Sequence, residues 1–147
     1  METLVAAKLL VISGCLAIFS SSIMGALMAV PMQNPKLLAS KTLNFKQIGA
    51  AHIDWIMLGL MSTATGVLVT LFELTLWEPV VWAMIFGAWA NPLPYLWRGF
   101  GVNAFVFAGG ILQRVTTAMG IISAAAIIYA WSSIFYAIYT GPVEVFS

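Results

Sequence analysis

Charged residues are scarce in this chain, with six Lys and Arg and five Asp and Glu among 147 residues. The formal net charge is +1 and the cationic residues are scattered, which excludes a basic surface for nucleic acid. The single cysteine, Cys15, excludes an intrachain disulfide. Only one histidine, His52, and one aspartate, Asp54, accompany it. One chain therefore lacks the three or four protein ligands that a zinc site needs.

Apolar residues take the place of the missing charge. Hydrophobic residues make up 62% of the chain, and the mean hydropathy is +1.01. Such a composition predicts an integral membrane protein. About 20 apolar residues cross the hydrocarbon core, and four segments approach that length, at about 9–30, 49–72, 80–97 and 116–139. We therefore predict an all-α fold, an integral membrane four-helix bundle that forms a single transmembrane domain over residues 1–147.

The connections between these spans differ in character. Residues 31–47 are rich in turn-forming and basic residues and predict a solvated loop, whereas residues 73–78 predict a tight turn. Glycines interrupt residues 99–114, which favours a re-entrant or interfacial segment there. Five of the six basic residues then fall on one side of the membrane: Lys36, Lys41, Lys46, Arg98 and Arg114. This bias places both termini outside the cytoplasm, and we expect a multi-pass protein of the bacterial inner membrane.

His52 lies near the start of the second span, in the run Ala50-Ala51-His52-Ile53-Asp54-Trp55. An ionisable side chain at membrane depth costs about 2.5–3.5 kcal/mol on insertion scales, so it usually faces a bundle interior and has a function. The alternative is a structural role, as a hydrogen-bonded anchor at the end of a helix. Asp54 lies about 200° around the helix from His52. This position favours pairing with a lysine or orienting a neighbouring helix.

The end of the third span returns to the membrane level of His52 and Asp54. Its polar residues are Asn91, Tyr95 and Arg98. Asn91 and Tyr95 are four residues apart and share one face if the turn stays helical. Pro92 and Pro94 remove backbone donors and free two carbonyl groups, which are tolerated at membrane depth where they meet protein or line a cavity. We therefore predict a cavity between helices at this level.

A lone histidine at membrane depth suits haem better than a bare metal ion. The porphyrin supplies four nitrogens, so the protein needs to give one axial ligand and can leave the sixth position open. Two other classes of protein remain as alternatives. A non-enzymatic electron-transfer subunit would also bind haem through His52, but would normally have a second strong axial ligand. A transporter subunit would place Asp54 and Arg98 along a water path and would bind no haem.

Three short motifs resemble the small four-helix membrane isomerases that include styrene oxide isomerase and hydroxylaminobenzene mutase. They are Ala51-His52, Trp89-x-Asn91-x-x-x-Tyr95-Leu96, and Val30-Pro31 followed by Asn34-Pro35-Lys36. The resemblance covers the first three helices, and the fourth adds only hydropathy. One position departs from the family pattern, because Leu58 stands where both relatives have an asparagine six residues after the histidine. Asp54 resembles the acidic residue of the mutase, and Tyr95 resembles the tyrosine of the epoxide isomerase.

The resemblance implies a function, a cofactor and an assembly. His52 would be the axial ligand of haem b at a subunit interface of a homotrimer. Tyr95 and Asn91 would orient a small hydrophobic substrate as catalytic residues, with Asp54 and Arg98 close behind them. Ferric haem would act as a Lewis acid in a redox-neutral rearrangement of an aryl epoxide to an aldehyde. The alternative reaction is the rearrangement of a hydroxylaminobenzene to an aminophenol.

Overall fold

The described part of the chain consists of α-helices and the turns and loops that connect them. The computed structural model describes residues 1–34, 36 and 43–141, and no strand occurs among them. Its helices are α1 (Thr3–Met32), α2 (Phe45–Leu71), α3 (Glu78–Ala90), α4 (Leu93–Gly99) and α5 (Ile111–Thr140). Three of them, α1, α2 and α5, are long and apolar enough to cross a membrane. The predicted all-α class is confirmed, and three of the four predicted spans correspond to these helices.

The third predicted span is wrong as a single continuous helix. The segment breaks at Asn91 and Pro92, where α3 ends and α4 begins. Pro92 has no N–H group with which to continue the α-helical ladder, and its ring disfavours a regular turn before it. The 13 residues of α3 extend about 20 Å, whereas a hydrocarbon core is about 30 Å thick. The prediction of one span rested on the number of apolar residues in 80–97, and that number does not show the break at Pro92.

Helices α1 and α2 form the most extensive contact in the fold, and α3 packs mainly on α5. Glycines allow α1 and α2 to approach backbone to backbone. A Cβ atom added at Gly14 would lie 2.5 Å from the carbonyl oxygen of Gly59, and one at Gly66 would lie 2.8 Å from the carbonyl oxygen of Ala7. Small residues at such a seam replace the hydrophobic driving force that is missing between helices in lipid.

A buried hydrophobic cluster lies at the end of the fold that contains the α2–α3 turn. Its members come from α1, α2, α3, α5 and the turn itself: Ala6, Ala7, Leu10, Val69, Leu74, Leu76, Val80, Val81, Met84, Ala130 and Ile134. Glu73, two residues after the end of α2, has a φ of 49°, a left-handed conformation common after the last helical turn. The tight turn predicted over residues 73–78 is therefore confirmed, and the core stands at the opposite end from the polar residues described below.

The other end of the fold joins α4 to the start of α2. The Asn44 N–H donates to the carbonyl oxygen of Gly99 over 2.8 Å, and the Asn44 side chain caps α2 by accepting from the N–H of Gln47. Residues 100–110 form an irregular loop, and α5 begins at Ile111. The observed loop is therefore shorter than the re-entrant or interfacial segment predicted over residues 99–114. The first residue of that segment belongs to α4, and its last residues form the first turn of α5. Lys41, from the basic side, and Pro35, from the quoted motif, lie outside the described residues.

Candidate functional site

The imidazole of His52 is held from α1 by one residue. Nδ1 of His52 lies 2.8 Å from the backbone carbonyl oxygen of Ser21 and 2.7 Å from its Oγ. The Ser21 hydroxyl in turn donates to the carbonyl oxygen of His52 over 2.6 Å. Ser21 is fully buried and His52 is half-buried. The two residues therefore lock the ring to the α1–α2 seam through a reciprocal pair of contacts.

This arrangement determines which ring nitrogen of His52 is free in the neutral imidazole. A carbonyl oxygen can only accept, so the nitrogen facing it, Nδ1, carries the hydrogen. Nε2 then holds the lone pair. Nε2 has no hydrogen bond within the described part of the chain and is not among its fully buried unpartnered atoms, so it keeps some accessible surface beside Gly25. A histidine prepared for metal ligation has this pattern, in which the second nitrogen donates to a carbonyl group.

The imidazole of His52 packs against α1 at Gly25, where no side chain is in the way. A Cβ atom at this position would lie 2.8 Å from Cε1 and 3.3 Å from Nε2 of His52. Ser21 and Gly25 are four residues apart, so both lie on the same face of α1. Any larger residue at position 25 would displace the ring. Glycine here is required by close packing, as expected for a helix contact.

Asp54 points to the other side of α2 and contacts the broken third segment. Asn91 Nδ2 donates to Asp54 Oδ2 over 3.0 Å. Ser123 Oγ, on α5, shares its hydrogen between the carbonyl oxygen of Gly120 at 2.8 Å and Asn91 Oδ1 at 3.3 Å. A polar chain therefore joins α2, the α3–α4 break and α5. The sequence predicted that Asp54 either pairs with a lysine or orients a neighbouring helix. Its hydrogen bond to Asn91 corresponds to the second role.

Tyr95 lines two hollows, one on each side of α4. The first, which we call the Asp54 groove, has a volume of about 310 Å³ and is lined by Ala50, Ile53, Asp54, Met57 and Tyr95. The second, which we call the Asn91 cavity, also measures about 310 Å³ and lies between α4, α5 and the loop 100–110. Asn91 and Tyr95 both line it, although the turn between them is not regular α-helix. The predicted cavity at this level is confirmed.

His52 lines neither hollow. It faces α1 through Ser21 and Gly25, whereas Asp54 and Tyr95 face the groove on the opposite side of α2. Shared depth, which the sequence predicted, does not bring His52 into either of the two hollows that Tyr95 lines in the described part of the chain. The 200° separation of His52 and Asp54 around α2 is the physical reason.

Arg98 stands at the edge of this region. It is exposed, and its guanidinium carbon lies 5.4 Å from the ring centroid of Phe105. Phe105 also meets Tyr95 edge to face, with ring centroids 5.0 Å apart. Arg98 therefore contacts the aromatic wall of the Asn91 cavity and lines neither that cavity nor the groove.

Two serines that bond to the candidate residues, Ser21 to His52 and Ser123 to Asn91, were not predicted from the sequence. Both are serines in apolar helices, where a hydroxyl usually bonds the carbonyl group of the preceding turn. The sequence held one usable signal, because Ser21 stands four residues before Gly25 on the face of α1 that meets α2. Ser123 had no comparable signal.

Within the described residues, no group of three or more His, Cys, Asp and Glu side chains is arranged to hold a bare metal ion. Comparison with known proteins adds no assignment: no family model, curated protein or solved structure matches this chain.

Proposed function

We propose that this protein is a haem-dependent membrane isomerase that rearranges an aryl epoxide to an aldehyde without net oxidation or reduction. The observation that carries the proposal is the fixed imidazole of His52, whose Nδ1 is committed to Ser21 and whose Nε2 is accessible. An axial ligand of haem needs that tautomer and that accessibility. Three helices long enough to cross a membrane suit an oily substrate that partitions into lipid.

The residues present fit one side of a haem site. His52 would hold the iron through Nε2, and the α1–α2 surface around Gly25 would form one wall. Ferric haem, when bound, supplies a Lewis acid that weakens the benzylic C–O bond of an epoxide. Tyr95 would hold the substrate oxygen through its hydroxyl, which has no hydrogen-bond partner in the described part of the chain. The apolar residues Ile53 and Met57 would exclude the water that turns epoxides into diols.

A second subunit completes the proposed site. His52 and Tyr95 occupy opposite sides of α2, so a pocket that uses both must combine the His52 face of one copy with the Asp54 groove of another. Contact between two different faces is head-to-tail, and such contacts form rings when the rotation closes. The homotrimer implied by the family resemblance is one such ring. Exposed Ile53 and Met57 beside the groove offer apolar surface for this contact.

A rearrangement of hydroxylaminobenzene to an aminophenol is the second candidate activity. The observation that favours it is Asp54, whose carboxyl group lines the groove beside Tyr95. One oxygen, Oδ2, is occupied by Asn91, and the other is available for the N–H or O–H group of a hydroxylamine. Asn91 would then act by positioning Asp54, while Tyr95 would contact the substrate in either reaction.

The purified protein is expected to display a Soret band and to turn over in the ferric state without a reductant. The test compares styrene oxide and hydroxylaminobenzene on one preparation, in air and under argon, followed by chromatography of the products. Dithionite should suppress turnover, because ferrous iron is the weaker Lewis acid. A requirement for NADH or oxygen would contradict isomerisation and favour an electron-transfer protein. Absence of haem would favour a transporter subunit.

Tyr95→Phe is expected to keep the haem spectrum and lower kcat/KM for the active substrate by about 5- to 150-fold. That range corresponds to about 1–3 kcal/mol for one lost polar partner in the transition state. Because the Tyr95 hydroxyl bonds no described residue, Phe should preserve the fold and the edge contact with Phe105. Tyr129→Phe, at an exposed tyrosine of α5 that lines neither the groove nor the Asn91 cavity, is the matched control. Equal rates for wild type and Tyr95→Phe would remove Tyr95 from the reaction.

A further inference from the structure

The loop between α4 and α5 has a defined shape, because its ends and its middle are fixed. Gly101 and Gly109 have φ angles of 86° and 69°, left-handed conformations that glycine adopts without a steric penalty. Between them, the carbonyl oxygen of Val106 accepts from Gln113 Nε2 and from Thr117 Oγ1, each over 3.2 Å. The loop is therefore held against the first turns of α5.

The side chains of this loop are mostly apolar, and four of them are exposed. The exposed fractions are 52% for Phe100, 44% for Phe105, 49% for Val106 and 60% for Phe107. An irregular backbone does not face lipid within the hydrocarbon core, because its N–H and C=O groups would have no partners there. Exposed apolar side chains are in turn unfavourable in bulk water. The loop therefore belongs at the membrane interface, where its side chains reach the acyl chains.

Two arginines flank the loop, one from each adjoining helix. The guanidinium carbon of Arg98, on α4, lies 5.4 Å from the ring centroid of Phe105. Arg114, on the first turn of α5, stands three residues before Thr117 and so shares the face of α5 that bonds the loop. Both arginines are exposed, and α4, the loop and α5 contain no Asp or Glu. Two positive charges therefore stand beside one apolar loop, and none of these three segments supplies a carboxylate to neutralise them.

The chemistry of these groups restricts the occupant to an anionic amphiphile. A guanidinium group binds phosphate oxygens through paired N–H donors. Phenylalanine side chains gain free energy when they leave water for acyl chains. The acidic residues Glu73 and Glu78 lie at the start of α3 or before it, which is the far end of the fold from this loop. An anion is therefore attracted to the end that contains the loop.

We propose that Arg98, Arg114 and the loop between them form a docking site for one anionic phospholipid. The two guanidinium groups bind the headgroup phosphate, and the exposed phenylalanines Phe100 and Phe107 pack against the acyl chains. Apolar contact and charge act together in such interfacial binding, so a neutral lipid with the same chains binds less tightly. The site goes beyond the proposed isomerase function and does not involve His52.

The test titrates the full-length, delipidated protein in a neutral detergent with dioleoyl phosphatidylglycerol or dioleoyl phosphatidylcholine, and native mass spectrometry counts the bound lipids. One phosphatidylglycerol per chain should bind about 25-fold more tightly than phosphatidylcholine, since each of two basic residues near an anionic headgroup contributes about fivefold. Glycerol 3-phosphate, which has the phosphate without acyl chains, should not displace it. Equal affinity for the two lipids would overturn the proposal, and so would displacement by glycerol 3-phosphate.

Substitution of single charges separates a local site from diffuse attraction. Arg98→Gln and Arg114→Gln should each lower the preference for phosphatidylglycerol by about fivefold. Lys8→Gln removes the same charge from an exposed position on α1, at a distance from the loop, and should leave the preference unchanged. Because Arg98 also contacts Phe105, Arg114→Gln decides the result if Arg98→Gln disturbs the loop. An equal loss in Lys8→Gln would mean attraction by net charge alone and would overturn the site.

A second pair of variants tests the apolar part of the site. Phe107 in the loop and Phe19 on α1 are similarly exposed, at 60% and 62%. Phe107→Gln should weaken the binding of phosphatidylglycerol by about tenfold, because one phenylalanine then no longer packs against the acyl chains. Phe19→Gln should have no effect on this affinity. Equal affinities of the two variants would contradict the loop as the surface that holds the lipid.

Discussion

Haem is expected to be absent from His52→Ala, while the protein stays in the membrane. No other imidazole exists in the chain, and Nε2 of His52 is the accessible nitrogen that Ser21 leaves free. Alanine also removes an ionisable group from the start of α2, so insertion is not impaired. The Soret absorbance per protein, with the amount of protein measured in isolated membranes, tests this result. Added imidazole should restore haem by occupying the space of the lost ring.

Ser21→Ala is the matched control for this prediction. It removes Oγ but keeps the backbone carbonyl group that accepts from Nδ1 over 2.8 Å, so the tautomer of His52 is preserved. Haem should remain bound, with an affinity lowered by at most about tenfold, the smaller effect known for loss of such an orienting partner. Full haem occupancy in His52→Ala would refute the ligand assignment, and loss of haem from Ser21→Ala alone would mean that the hydroxyl is the main support.

Gly14→Val is expected to be the most destabilising single substitution in the α1–α2 seam. A Cβ atom at Gly14 would lie 2.5 Å from the carbonyl oxygen of Gly59 and 2.8 Å from the backbone nitrogen of Thr63. These neighbours are backbone atoms of a regular helix and cannot rotate away, so the helices must separate. Overpacking typically costs 1–3 kcal/mol, and we expect a value of about 3 kcal/mol here. Thermal unfolding followed by tryptophan fluorescence in one detergent measures the loss.

Cys15→Val provides the comparison for Gly14→Val. Cys15 is the adjacent residue on α1 and is exposed, so a valine there meets no neighbouring backbone. Its effect on the free energy of unfolding should stay within about 0.5 kcal/mol. Equal stability of the two variants would mean that α1 and α2 can part without cost. Because the same seam joins Ser21 to His52, Gly14→Val should also reduce haem occupancy.

Hydropathy predicted α1, α2 and α5 well but placed each start four to six residues too late, while the predicted ends lie within two residues of the observed ones. The helices continue past the apolar runs, since Lys8 lies within α1 and Lys46 within α2, and a helical backbone satisfies its hydrogen bonds whatever the polarity of its side chains. The third segment was predicted less well. Its apolar residues over 80–97 predict one span, whereas Pro92 lacks the N–H group that a continuous helix needs. The observed helix breaks at the proline.

The depth of the candidate residues was predictable from the sequence, but their grouping into separate hollows was not. The sequence identified His52, Asp54, Asn91 and Tyr95, and topology placed them at one depth. The separation of about 200° within α2 places His52 and Asp54 on two sides of that helix, but the rotation of α2 about its axis decides which neighbouring helix each side meets. That rotation is set by the fit of its glycines against α1, a contact between residues about 45 apart in the chain, such as Gly14 and Gly59. Periodicity within one helix carries no information about such a contact.

The short α3 has a consequence for the surrounding lipid. Helices α1 and α5, with 30 residues each, are longer than a hydrocarbon core is thick, while α3 alone is shorter than the core by about 10 Å. In a membrane, the lipid beside α3 and α4 must thin or the bundle must tilt, and either response costs a fraction of a kcal/mol per ångström of mismatch. The Asn91 cavity lies on the flank where this mismatch falls, between α4, α5 and the loop 100–110. A thinner hydrocarbon layer on this flank would bring the lipid headgroups closer to the cavity than a bilayer of ordinary thickness would.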